Sequence, residues 1–181
     1  GPCEKLDYEI ILLDLVVDPY TSNTYAHALV LFVDNKQHIV EMFDPDARTD
    51  IQAIDQYLKL QNKLQQQMFP KWGIDEYQLL SPITICLRGP QNILFREKYG
   101  AIHFSTCQYW TMFYIQKRLM NPNIQAKEMM KNLLKNINAV ILGDEQGRIQ
   151  YKESLLKFIN DNNLEKHVKI ISNESFMPSA Y

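Results

Sequence analysis

Residues 27–47, HALVLFVDNKQHIVEMFDPDA, decide how this chain folds. Two runs rich in β-branched and aromatic residues, HALVLFV (27–33) and HIVEMF (38–43), flank the turn-forming cluster Asp34-Asn35-Lys36-Gln37, so the stretch reads as a β-hairpin. With the turn at 34–37, residues 33 and 38 pair, and counting outward sets His27 opposite Asp44 at roughly 5 Å. A histidine that opens an apolar strand lies at the rim of a sheet, where it can meet the end of a helix. An acid on the neighbouring strand can then fix its tautomer.

Outward from the hairpin, YEIILLDLVV (8–17) reads as a strand. A helix is expected from about Asp50 to Met68, with Ile51, Ile54, Leu58, Leu64 and Met68 near helical spacing, ended by Pro70. Gln61, Gln65, Gln66 and Gln67 fit its solvated face. PITICLR (82–88) reads as another strand running into the turn signal Gly89-Pro90. Helices are predicted over Thr106–Met120, stopped by Asn121-Pro122, over about Ile124–Ile137 and over about Tyr151–Asn160, with a short strand at Val168–Ser172. No internal repeat or long linker divides the chain. The predicted fold is α+β, one domain over 1–181 with a mostly antiparallel central sheet flanked by helices.

Composition narrows the function. At 181 residues and 46% hydrophobic, the chain can bury a substantial core, and a formal net charge of -2 gives no global attraction to nucleic acid or anionic lipid. Nucleic acid is therefore not the favoured partner. No apolar run approaches the roughly 18 to 20 residues that span a bilayer. Gly1-Pro2 reads as a remnant of tag removal, which hides the native start. Cys3, Cys86 and Cys107 form an odd, sparse set without CxxC spacing, against both a disulfide framework and a zinc site, and for an intracellular, reducing compartment. Cys86, inside PITICL, reads as a small core hydrophobe.

Cys107 reads differently. Ser105 and Thr106 are good N-cap residues, and Tyr109, Trp110, Phe113, Tyr114, Lys117 and Arg118 recur at helical spacing with the basic pair at the end. Cys107 then occupies the first turn, where unpaired backbone N–H groups favour a thiolate and can receive an oxyanion. A thiol nucleophile at a helix start, a histidine base and an orienting acid make a nucleophilic triad, so His27, Asp44 and Cys107 are the candidate catalytic residues. Asp34 is the turn acid, Asp46 the alternative orienter, and His38 and His103 the competing bases. No metal or organic cofactor is required.

The order His27, Asp44, Cys107, the hairpin segment and the helix CQYWTMFYIQKRLMNP (107–122) together resemble the adenain and ubiquitin-like-protease superfamily of cysteine peptidases. FDPDA (43–47) is similar to the F-[DE]-P-x-G that carries the acid in the adenovirus branch. The C-x-x-W pattern, Arg118-Leu119 and Asn121-Pro122 resemble large-DNA-virus members. The similarity spans roughly residues 20 to 140. It implies an adenain-like, papain-like fold with His27 as general base, Asp44 as orienter and Cys107 as nucleophile. The implied substrate is a protein cleaved after small residues, either a ubiquitin-like modifier tail or a viral structural precursor. Where the family places an oxyanion glutamine shortly before the cysteine, this chain has Gly100-Ala101, and Gln91 in RGPQN is the nearest upstream glutamine. Ala28 and Gln108 also stand where many members have tryptophan and glycine. An acyltransferase on the same triad and a non-catalytic binding module that keeps the fold are the competing readings.

Overall fold

The computed structural model describes residues 5–16, 26–48, 51–84, 89–90, 107–135 and 151–176. Strands β1 (Tyr8–Val16), β2 (Ala26–Asp34) and β3 (Ile39–Phe43) lead into helix α1 (Ile51–Lys63), a wider π turn (Leu64–Met68) and the short α2 (Phe69–Trp72). β4 (Gln78–Leu80), α3 (Cys107–Met120), α4 (Ala126–Leu134), α5 (Tyr151–Asp161) and β5 (Val168–Phe176) follow. The strands form one five-stranded sheet in the order β4-β3-β2-β1-β5. Its central pairings, β1 with β2 and β2 with β3, are antiparallel, whereas β4 and β5 join the edges in parallel. The sheet is thus mixed, an α+β arrangement flanked by helices. Its antiparallel half is the hairpin region, and each parallel edge follows a helical crossover, as parallel pairing requires.

Both faces of the sheet are covered, which explains the nearly continuous apolar runs of β1 and β2. Ile10, Leu12, Val30, Phe32 and Phe43 pack with Trp110, Tyr114, Met129, Leu133 and Leu155 from α3, α4 and α5. Residues of alternate parity, including Ile11, Leu13, Leu29, Leu31 and Met42, meet Leu60, Leu64 and Phe69 on the other side. Among the described residues, no helix is long and apolar enough to cross a membrane.

Four sequence expectations need correction. Asp34 pairs with Ile39, so the hairpin loop is 35–38, two residues off the expected register. Asp34 stays in the strand because its Oδ1 accepts the N–H groups of Lys36 and Gln37, each at 2.9 Å, while His38 takes the left-handed position (φ 55°) that closes the loop. A slip of two conserves which side chains share a face.

The helical segment does not stop at Pro70. In the π turn, Phe69 N–H reaches back to Leu64 O, and the chain winds on to Gly73 at φ 69°. Pro70 falls in the first turn of α2, where its missing donor is tolerated. Ile51 and Leu58 are 87% and 54% exposed, and the face that α1 and the π turn bury is Tyr57, Leu60 and Leu64. The strand expected at 82–88 is, over 82–84, a turn closed by Ser81 N–H donating to Thr84 Oγ1 at 2.7 Å and Thr84 Oγ1 donating to Ser81 O at 2.9 Å. The edge strand is β4, and 85–88 lie outside the described residues.

Candidate active site at the start of helix α3

His27 enters from the start of β2, Asp44 from the residue after β3, and Cys107 is the first residue of α3. All three are buried, each 5% exposed. The helix is held against both strands. Thr111 Oγ1 donates to Cys107 O at 2.8 Å and lies 3.4 Å from Ala28 O, beside His27. One turn on, the Tyr114 ring stacks on Phe43 with centroids 4.3 Å apart and planes 3° apart, next to Asp44. Residues 107, 110, 111, 114 and 118 share one helical face through their i, i+3 and i+4 spacing. The packing that buries Trp110 and Tyr114 therefore also sets where Cys107 sits.

His27 Nε2–H donates to Asp44 Oδ1 at 2.5 Å. The last ladder pair is Val30 with Phe43, so Asp44 lies past the end of β3 and reaches His27 diagonally instead of directly across the strands. Oδ1 also accepts Asp46 N–H at 2.8 Å, and Oδ2 accepts the Tyr57 hydroxyl. The turn carrying the acid is closed by Ala47 N–H donating to Asp44 O at 3.2 Å, and by Gly89 N–H donating to Ala47 O at 2.9 Å. A Cβ on Gly89 would stand 2.2 Å from Pro45 O and 2.5 Å from Asp44 O, so only glycine lets this segment close on the acid's backbone.

The electrostatics favour a charged pair. Burial alone pushes the His27 imidazolium down, but the charge and hydrogen bond of Asp44, with a smaller contribution from Cys107, hold its pKa well above the ordinary 6.5. For Asp44, burial pushes the carboxyl up. His27, Tyr57 and Asp46 N–H outweigh it and hold its pKa below the usual 3.8. Asp14, half-buried on β1, is raised by burial and lowered by His27, which places a second carboxyl within the field of the base.

The structure brings His27 and Asp44 into direct contact, and Cys107 opens the helix that packs on β2 beside His27. Comparison with protein-family models, curated proteins and solved structures finds no match. The site therefore stands on its own geometry. His38 sits on the hairpin loop at the far end of β2, exposed and stacked on Tyr77 at 4.8 Å, roughly 25 Å of strand from His27. Asp34 is the turn acid, and Asp46 contributes its backbone N–H to Asp44. Gln91, His103, Cys3 and Cys86 lie outside the described residues. Sequence reasoning missed Tyr57, Thr111 and Gly89. For Tyr57 a signal existed, since Ile54, Tyr57, Leu60 and Leu64 follow i, i+3, i+6 and i+10 spacing better than a stripe through Leu58.

Proposed function

We propose that the chain is a cysteine peptidase or isopeptidase with an adenain-like fold, in which Cys107 is the nucleophile, His27 the general base and Asp44 its orienter. The observation that carries this reading is one buried imidazole held by Asp44 through Nε2, with a buried cysteine opening the helix that packs on the same strand. An ionised carboxylate only accepts, so Nε2 carries the proton and Nδ1 is the basic atom of the neutral ring. Nδ1 takes the Cys107 proton, held already as a thiolate–imidazolium pair where the raised His27 pKa keeps the ring charged, and Sγ attacks the amide carbonyl. The resulting imidazolium protonates the leaving amine, the C–N bond breaks, and water hydrolyses the thioester. Cys107 N–H, with or without Gln91, would hold the oxyanion, and Asp44 stabilises the imidazolium throughout.

The substrate class follows from the resemblance of HALVLFVDNKQHIVEMFDPDA and CQYWTMFYIQKRLMNP to the adenain and ubiquitin-like-protease superfamily. It is a protein chain with small residues before the scissile bond, either a ubiquitin-like C-terminal tail or a viral precursor, met in a reducing compartment of the cell or in a virus particle. A panel of ubiquitin and SUMO C-terminal electrophiles, together with Gly-Gly and Gly-x-Gly peptide amides, tests it. A covalent adduct mapped to Cys107, or cleavage lost in Cys107→Ala, is the expected result. No adduct and no cleavage across the panel would favour the binding-module reading. An acyl-CoA-dependent gain in substrate mass would favour the acyltransferase.

A further inference from the structure

We propose that Tyr57 is a positioning residue of this site, holding Asp44 turned towards His27 from α1, a helix that packs on the sheet face opposite α3. The inference deepens the peptidase reading and rests on it for its catalytic meaning. Asp44 needs such a group for a geometric reason. The torsion that turns an aspartate carboxylate is a broad, roughly two-fold rotor, so its own rotamer preference does not fix which oxygen faces the histidine. Hydrogen bonds must do so. Oδ1 is fixed by Asp46 N–H at 2.8 Å, and Oδ2 receives the Tyr57 hydroxyl, so a donor on each oxygen locks the plane in which Oδ1 meets His27 Nε2.

The chemistry of the phenol suits that task. Tyr57 is 8% exposed and packs with Ala47 and Ile83, so its ring is held by the same turn that carries the acid. Burial, with the charge of Asp44, pushes the phenol well above its ordinary range, so it stays a neutral donor at every working pH. Neutrality matters. A lysine or arginine at this place would satisfy Oδ2 but cancel the negative field that keeps the His27 imidazolium charged, whereas a hydroxyl orients the carboxylate and leaves its charge directed at the base. A tyrosine with a purely structural role would bury its ring equally well without any effect on how Asp44 titrates.

The test is Tyr57→Phe, which keeps the ring and removes the donor. Asp44 is followed by carbon NMR of aspartate-labelled protein and assigned by its disappearance in Asp44→Asn. Loss of one hydrogen bond to a charged group should raise the Asp44 titration by about one to two pH units. The acid limb of the rate profile should move up with it, and kcat should fall while KM is nearly unchanged. An unshifted Asp44 titration with a lowered melting temperature would overturn the proposal and leave Tyr57 a packing residue. If Tyr57→Phe does not fold, 3,5-difluorotyrosine at position 57 decides instead. Its stronger donor should move the Asp44 titration down, and no shift or an upward one overturns the proposal. Because the titration needs no turnover, a shifted Asp44 in a protein with no peptidase activity supports the hold of Tyr57 on Asp44 while counting against the peptidase reading.

Discussion

Each end of α3 lies against the sheet at an ion pair, and the two pairs differ in whether they can change. At the C-terminal end, Arg118 donates to both oxygens of Glu41 at 2.8 and 2.9 Å and also to the carbonyl of Ile124, while the Tyr114 hydroxyl donates to Glu41 Oε1 at 2.5 Å. An arginine keeps its proton at any pH a protein tolerates. Burial, with Glu41, pushes the Tyr114 phenol well above its usual range, so this end is a fixed clamp. At the N-terminal end the cation is an imidazole, and beside it lies a thiol. One helix is thus anchored by a pair that holds its protons and presents a pair that can exchange them. The clamp sets where the helix lies, and the exchangeable pair is where proton transfer is possible.

This contrast is open to breakage, most severely at the reactive end. Asp44→Asn reverses the hydrogen-bonding sense available to His27 and should lower turnover by about 10⁴-fold with the fold intact. Turnover within tenfold of the parent would show that Asp44 does not set the tautomer. At the fixed end, Arg118→Met leaves Glu41 without its cation and should cost about 3 kcal/mol or more in urea unfolding, with an unchanged alkylation rate per folded Cys107. If reactivity fell as steeply as stability, the two ends would not be separable.

The pH dependence sharpens the comparison further. The folded-state pKa of His27 is raised, so its contribution to stability is complete below about 6.5 and is lost as pH rises through the raised value. That of Asp44 is lowered, so its contribution is complete above about 3.8 and is lost as pH falls through the lowered value. The stability gap between the parent and His27→Gln should therefore be widest between about pH 4 and 6.5 and should shrink towards pH 10. A gap that stays constant from pH 4 to 10 would contradict the charged pair. The smallest effect is expected at Asp34→Asn, which retains an acceptor for the loop N–H groups and should leave turnover within about twofold.

Much of this site was legible in the sequence because the signals are local. Two runs rich in β-branched and aromatic residues around a turn pointed to the hairpin, and a cysteine after Ser105-Thr106 to the helix start. The contact of His27 with Asp44 was foreseen in spite of the wrong register, because a two-residue slip keeps both side chains on the same face. What was missed depends on residues far apart in sequence. Tyr57 meets Asp44 from α1, Thr111 reaches Ala28 from α3, and Gly89 closes on Pro45. Arg118, placed by the sequence only as a basic residue at the end of the helix, is buried through its pairing with Glu41 from β3. The parallel edges escaped for the same reason, since β5 pairs with β1 across most of the chain.

The central claim is that Cys107 and His27 act as one acid–base unit, and the rate of Cys107 alkylation tests it without needing a substrate. Brief iodoacetamide treatment at pH 6.5, followed by peptide mapping, should label Cys107 ahead of Cys86, and His27→Ala should slow the Cys107 reaction by about tenfold or more with the fold retained. Equal labelling of the two cysteines, unchanged by His27→Ala, would contradict the account.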